Sequence, residues 1–183
     1  MAKDLKIINI VDIESTCWDK PEEKPANEQN EIIEIGIVAL DIQNLQIVAK
    51  DSILIKTQFS TVSPFCTKLT TITQDMLDKD GISLKEALEL LKSKYKPHLR
   101  TWGSYGDYDR EEFKKNCERI GEEYVWGRTH LNIKNLLALH KGLKREIGMA
   151  EACALLGIKL EGTLHRGLDD AENIAKIYSK IIR

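Results

Sequence analysis

Residues 7–14 have the sequence IINIVDIE, and this stretch decides the fold. Its isoleucine and valine residues form an apolar run typical of a strand buried at the centre of a sheet. Because alternate side chains of a strand share a face, Asp12 and Glu14 lie on the same side, where the apolar run ends. Two acids at a strand end also fit a strand that simply emerges into solvent, so other segments must decide between a site and a surface.

The surrounding pattern predicts an α/β fold. Residues 31–40 and 46–56 favour two more strands, and the short polar link between them indicates an antiparallel hairpin. Short strands are predicted near 98–102 and 129–133. Helical patterns cover 83–95, 134–140, 149–156 and about 168–182, and the first of them opens with a capping box at Ser83 and Glu86. A further helix is indicated by Phe113, Cys117 and Ile120, which mark its inner face. We expect a central mixed five-stranded sheet flanked by helices, in one domain spanning residues 1–183.

Composition excludes some classes of function and leaves others open. Hydrophobic residues make up 42% and charged residues 31% of the 183-residue chain, as in ordinary globular proteins. With a net charge of −2, any polyanionic partner must be held locally. The four cysteines form no Cys-x-x-Cys pair, which argues against a zinc ribbon. Neither a leader pattern nor a membrane-spanning apolar run is evident, so we expect a cytoplasmic protein with no membrane partner.

A second group of candidate catalytic residues lies at the start of the last predicted helix. His165 precedes it, and Asp169 and Asp170 occupy its first turn, where negative charge is stabilised by the helix dipole. A single histidine in a loop is usually a surface or core residue and not a catalyst. A histidine that lies beside carboxylates, however, can take a proton from a metal-bound water. Several carboxylates from distant segments, with a histidine nearby, fit divalent-metal-assisted hydrolysis of a phosphodiester.

Taken together, the motifs resemble those of the DEDDh exonucleases, the DnaQ-like 3'-5' exonucleases with a ribonuclease H-like fold. The resemblance rests on Asp-x-Glu in the first strand, an aromatic residue followed by Asp in mid-chain, and a terminal His-x4-Asp. The stretches VDIESTCW at 11–18, EIIEIG at 31–36, LTTIT at 69–73 and LLG at 155–157 are similar to the subgroup that trims small RNAs and histone mRNA ends, which includes the KapD-like proteins.

The resemblance implies a role for each matched residue. Asp12, Glu14, Asp109 and Asp170 would bind two Mg²⁺ or Mn²⁺ ions, and His165 would be the general base. Asp107 remains an alternative to Asp109 as the third acid, and its other reading is a turn or N-cap residue. Asp109 is favoured because it follows an aromatic residue and precedes a helix in which a phenylalanine occupies the usual apolar position.

Substrate contacts are also implied by the resemblance. Thr16, Cys17 and Trp18 follow the first two acids, and Trp18 either stacks on a base or packs on the surface. A second segment, residues 69–72, is predicted to wedge the last base of the substrate. Its members are Leu69, Thr70, Thr71 and Ile72. That segment alternatively leads into a short helix capped by Thr73. For Glu34, a buried structural hydrogen bond is favoured over catalysis.

The sequence therefore predicts a metal-dependent 3'-5' exonuclease that releases nucleoside 5'-monophosphates from single-stranded 3' ends, with RNA or short oligonucleotides favoured. One alternative is a DNA-directed proofreading or repair exonuclease. Another is a catalytically silent nucleic-acid-binding module on the same fold. All five residues of the motif set are present, which favours an enzyme. The sequence does not indicate the oligomeric state.

Overall fold

The computed structural model describes residues 3–183, and its centre is a five-stranded mixed sheet. The strands are β1 (Asp4–Ser15), β2 (Ile32–Asp41), β3 (Gln46–Leu54), β4 (Arg100–Ser104) and β5 (His130–Asn132). Their spatial order is β3-β2-β1-β4-β5. β1, β2 and β3 pair antiparallel, whereas β4 runs parallel to both β1 and β5. The predicted α/β class, mixed sheet and hairpin are confirmed.

Seven α-helices flank the sheet in the described part of the chain. They are α1 (Pro64–Thr70), α2 (Gln74–Asp80), α3 (Leu84–Leu90), α4 (Tyr108–Arg119), α5 (Ile133–Lys141), α6 (Met149–Leu155) and α7 (Gly167–Ile181). The capping box of α3 is present, and Thr73 caps α2 by accepting a hydrogen bond from the Met76 amide. Helix α1 was not predicted. It begins at Pro64 because Ser63 caps it and proline suits the first helical position.

The two faces of β1 supply two separate cores. Val11 and Ile13 pack with residues of α3 and α4 on one face of the sheet. Ile8 and Ile10 pack with residues of α5, α6 and α7 on the other. Asp12 and Glu14 continue the row of Ile8 and Ile10, and this alternation directs them toward α7.

Helix α7 meets the sheet through two glycines. A Cβ built on Gly36 would lie 1.9 Å from the carbonyl carbon of Gly167, so the β2 backbone touches the start of α7 directly. Only glycine permits this approach. The contact brings the first turn of α7 over the ends of β1 and β2. Among residues 3–183, none of the helices is long and apolar enough to cross a bilayer.

Candidate active site

Three parts of the fold bring the predicted acidic residues and histidine together at one end of the sheet. Asp12 and Glu14 lie at the end of β1, Asp109 lies in the first turn of α4, and Asp170 lies in the first turn of α7. His165 lies in the loop just before α7 and is exposed. Glu14, Asp109 and Asp170 are buried, and Asp12 is half-buried. The structure thus gathers five polar residues where an apolar strand ends.

A hydrogen bond from the backbone of β1 holds Asp109 near the two acids of that strand. The Ile13 amide, which lies between Asp12 and Glu14 in the chain, donates to Asp109 Oδ1 at 2.9 Å. Because Asp109 accepts a hydrogen bond from the amide of a strand residue, the N-terminus of α4 is held against the end of β1.

Asp107 lies in a different environment. It is exposed at the N-cap position of α4, where its side chain makes no capping hydrogen bond. It accepts a hydrogen bond from Asn132 Nδ2 at 2.9 Å and pairs with Arg110 Nη2 at 3.1 Å. The geometry therefore sets Asp109, rather than Asp107, beside the other carboxylates.

The loop before α7 joins His165 to Asp170. The His165 amide donates to Asp170 Oδ2 at 2.9 Å, and His165 adopts the left-handed backbone conformation with φ +61°. Ligand atoms of Glu14, His165 and Asp170 all lie within 4.8 Å of one another. Asp170 Oδ1 is buried, and no donor among residues 3–183 bonds to it. A buried carboxylate oxygen without a donor, in a group of oxygen and nitrogen ligands, fits a divalent cation.

The electrostatics of the cluster show why a cation suits it. Burial, reinforced by the charges of Asp109, Glu14 and Asp170, raises the pKa of Asp12 well above its usual range. Burial and the neighbouring carboxylates raise the pKa of Glu14 to about 8. Burial also raises the pKa of Asp109 to about 6 and that of Asp170 to about 6. Several carboxylates that resist ionising together bind positive charge favourably, since it removes their mutual repulsion.

Glu34 fixes the loop that carries His165. Its buried carboxylate accepts hydrogen bonds from Arg166 Nε at 3.1 Å, Arg166 Nη2 at 3.2 Å and the Gly167 amide at 2.9 Å. Ser52 Oγ donates a fourth at 2.6 Å. The structure thus gives Glu34 the buried hydrogen-bonding role expected from the sequence. Sequence reasoning missed Arg166. The one available indication was indirect, because a glutamate buried on β2 needs a cationic partner.

A second set of supporting contacts lies behind Asp109. Ser104, at the end of β4, donates from Oγ to the Gly106 carbonyl at 3.0 Å, and its proximity to the Asp109 carboxylate opposes the rise in the Asp109 pKa. Ser104 Oγ also lies 2.9 Å from His130 Nε2. Burial lowers the pKa of His130 to about 4, so its ring is neutral at physiological pH. Sequence reasoning missed both residues, and no motif marked them.

Three of the seven predicted substrate contacts have side chains inside the fold. The side chains of Thr16, Thr70 and Ile72 are fully buried. Thr16 Oγ1 accepts from the Glu31 amide at 3.0 Å, and Thr70 Oγ1 donates to the Cys66 carbonyl at 2.9 Å. The polar groups of the two threonines are used within the fold, and the Ile72 side chain is packed in the core. A role for these three residues in binding a substrate stays a prediction.

The other predicted contacts remain accessible. Cys17, Trp18 and Leu69 are each half-buried and Thr71 is exposed, so part of each side chain reaches the surface. Cys17 and Trp18 lie two and three residues beyond the end of β1 at Ser15, which keeps them near the rim of the carboxylate cluster. Their role in binding a substrate stays a prediction.

Comparison with known proteins identifies the family of the chain. The model of the family described as Exonuclease (RNase_T) matches residues 10–178. Rat 3'-5' exoribonuclease 1 is 31% identical over 188 residues, which cover 96% of this chain and 53% of the rat protein. The human protein of the same name is 30% identical, with 96% and 52% covered. The chain therefore spans about half the length of these curated relatives.

Solved structures share the fold. The nuclease domain of 3'hExo, a DEDDh family member bound to rAMP, superimposes with a TM-score of 0.83 at 26% identity, covering 98% of this chain and 92% of that chain. Pop2p of S. pombe, in a form with bound Mg²⁺ and Mn²⁺, has a TM-score of 0.73 at 18% identity over 95% of this chain and 82% of that one, and shows the fold alone. The chain belongs to the exonuclease family.

Proposed function

We propose that this member of the exonuclease family is a metal-dependent 3'-5' exonuclease, which removes nucleoside 5'-monophosphates from single-stranded 3' ends. The observation that carries the proposal is the convergence of Asp12, Glu14, Asp109 and Asp170 beside His165, with an oxygen of Asp170 left unpartnered among the described residues. Such a carboxylate group suits two hard divalent ions, and the four acids would hold Mg²⁺ or Mn²⁺.

Bound ions would lower the pKa of the attacking water and neutralise charge developing on the phosphate. The protein's own residues supply the rest of the chemistry. His165 is exposed and held beside Asp170 by its own amide, so its ring can take the proton of the attacking water. The Glu34–Arg166 contact keeps that loop in place while the imidazole exchanges its proton with solvent. After cleavage, the shortened strand ends in a 3'-hydroxyl group.

Support for RNA as the substrate comes from the relatives. The rat and human proteins are named exoribonucleases, and the 3'hExo domain was solved with rAMP. A structure of a 3'-exonuclease, at 25% identity, concerns 3'-end-specific recognition of the histone mRNA stem-loop. We therefore favour RNA 3' ends over DNA. The organisation of residues 1–183 as one exonuclease domain and a cytoplasmic location stay predictions from the sequence.

The direct test is digestion of 5'-labelled single-stranded RNA and of DNA with the same base sequence, in the presence of Mg²⁺, Mn²⁺ or a chelator. We expect a metal-dependent ladder that shortens from the 3' end, faster on RNA. An Asp12→Ala variant serves as the inactive control. Equal rates on both substrates would favour the DNA-directed alternative. Intact RNA and DNA in the presence of either metal would refute the nuclease and favour a binding module.

A further inference from the structure

A polar groove runs along one side of α4, the helix whose first turn carries Asp109. It has a volume of about 380 Å³ and is lined by Lys24, Gln29, Asn30, Glu112, Lys115 and Arg119. We call this feature the α4 groove. No catalytic role proposed above uses any of the residues that line it.

The α4 groove is continuous with the site through two aromatic residues. Asn30 Nδ2 donates to Tyr108 Oη at 3.5 Å, and Tyr108 directly precedes the proposed metal ligand Asp109. Lys24 Nζ donates to Asn30 Oδ1 at 2.9 Å and lies 5.3 Å from the centre of the Trp18 ring. A strand whose last phosphodiester lies at the carboxylates can therefore pass Tyr108 and Trp18 and enter the groove.

The charge of the α4 groove differs from that of the site. Lys24, Lys115 and Arg119 provide three positive charges, and the facing acids are Glu112 and Glu118. The Glu112 side chain is 5% exposed and pairs with Lys115 Nζ at 2.7 Å, while the Lys115 side chain is 62% exposed. In a chain with a net charge of −2, such a local cluster can hold phosphate groups that the chain as a whole does not attract.

We propose that the α4 groove binds the sugar-phosphate backbone of the nucleotides that lie 5' to the cleaved end. Lys24 and Lys115 contact phosphates, and the rings of Trp18 and Tyr108 stack on bases. Tyr108 is 52% exposed, and aromatic stacking tolerates any base, as an exonuclease that advances along a strand requires. This inference rests on the proposed function, because it takes the carboxylate cluster as the cleavage point.

The test measures binding separately from cleavage. A Lys24→Ala/Lys115→Ala double variant is made in the full chain with Asp12→Ala, and its affinity for fluorescent 12-nucleotide single-stranded RNA is measured over a range of salt concentrations. The matched control is Lys141→Ala/Lys144→Ala in the same background, since both lysines are exposed and lie outside the α4 groove. Arg119 is left intact because it donates to the Asn30 carbonyl.

We expect the double variant to bind RNA more weakly, with the slope of log affinity against log salt reduced by about 1.4, or about 0.7 per phosphate contact. The control pair should leave affinity and slope unchanged. Equal slopes in the double variant and the control, or equal affinity of the Asp12→Ala protein for the 12-nucleotide RNA and for a dinucleotide, would overturn the proposal. Hydrolysis of a dinucleotide by the wild-type protein is measured in parallel, and its absence would instead count against the proposed function.

Discussion

Replacing Arg166 with alanine should destabilise the protein and slow catalysis together, because Arg166 links the core to the loop of His165. The change removes two hydrogen bonds, at 3.1 and 3.2 Å, from a Glu34 side chain that is 1% exposed. Removing one partner of a buried ion pair costs about 3–5 kcal/mol. Arg166 is 25% exposed, and Glu34 keeps the Gly167 and Ser52 donors. We therefore expect a loss of about 3 kcal/mol, at the lower end of that range.

The expected loss can be measured by calorimetry. For a chain of this size, each kcal/mol lowers Tm by about 2–4 °C, so Arg166→Ala should lower Tm by about 6–12 °C. The matched control is Arg145→Ala, which removes an exposed pair with Glu151 at 3.0 Å. Exposed pairs contribute about 0–1 kcal/mol, so the control should lower Tm by no more than about 4 °C.

Kinetics below the melting transition separate positioning from stability. A displacement of His165 by about 1 Å should lower kcat about 10²-fold with little change in KM. In a double-mutant cycle with Glu34→Gln, the two changes should couple by more than about 0.5 kcal/mol, the limit for independent sites. If Arg166→Ala lowers Tm no more than Arg145→Ala does, or if kcat is unchanged, Arg166 does not link the core to the loop of His165.

Three further predictions follow from the site and its supports. His165→Ala should lower kcat by about 10²–10⁴-fold while Mn²⁺ binding persists, and an unchanged rate would exclude it as the base. The pKa of Glu14 rises from 4.5 in the unfolded chain to about 8 in the fold, so the native state favours the protonated form. Stability of the metal-free protein should therefore fall as pH rises from 4.5 to about 8, and Tm measured in chelator should fall over that range, whereas a flat profile would contradict the assignment. Gly36→Ala should destabilise by more than about 3 kcal/mol, because its Cβ would lie 1.9 Å from Gly167, and Gly148→Ala, whose Cβ meets open space among the described residues, should cost far less in the same urea titration.

Most of the fold could be predicted from local sequence patterns, because the residues that define each helix or strand lie within that element. The apolar run of β1 and the capping box at Ser83 are each complete within a few residues. Helix α1 escaped prediction because seven residues starting at Pro64 are too few to show a helical apolar stripe.

The site was predictable to the extent that motifs mark it, and its supports were not. Glu34 and Arg166 are 132 positions apart, and no local pattern reports which distant partner a buried acid will find. The buried state of Thr16 and Thr70 likewise depends on the Glu31 amide and the Cys66 carbonyl, contacts that only the folded chain creates.

The most direct test of the proposed site compares Asp109→Asn with Asp107→Asn, because the two acids share one short segment and only Asp109 adjoins the other carboxylates. Single-turnover digestion of 5'-labelled RNA with Mn²⁺ is measured for both variants, together with calorimetric Mn²⁺ binding. We expect Asp109→Asn to lose both turnover and one bound ion, and Asp107→Asn to retain both. Loss in Asp107→Asn with activity kept in Asp109→Asn would contradict this expectation.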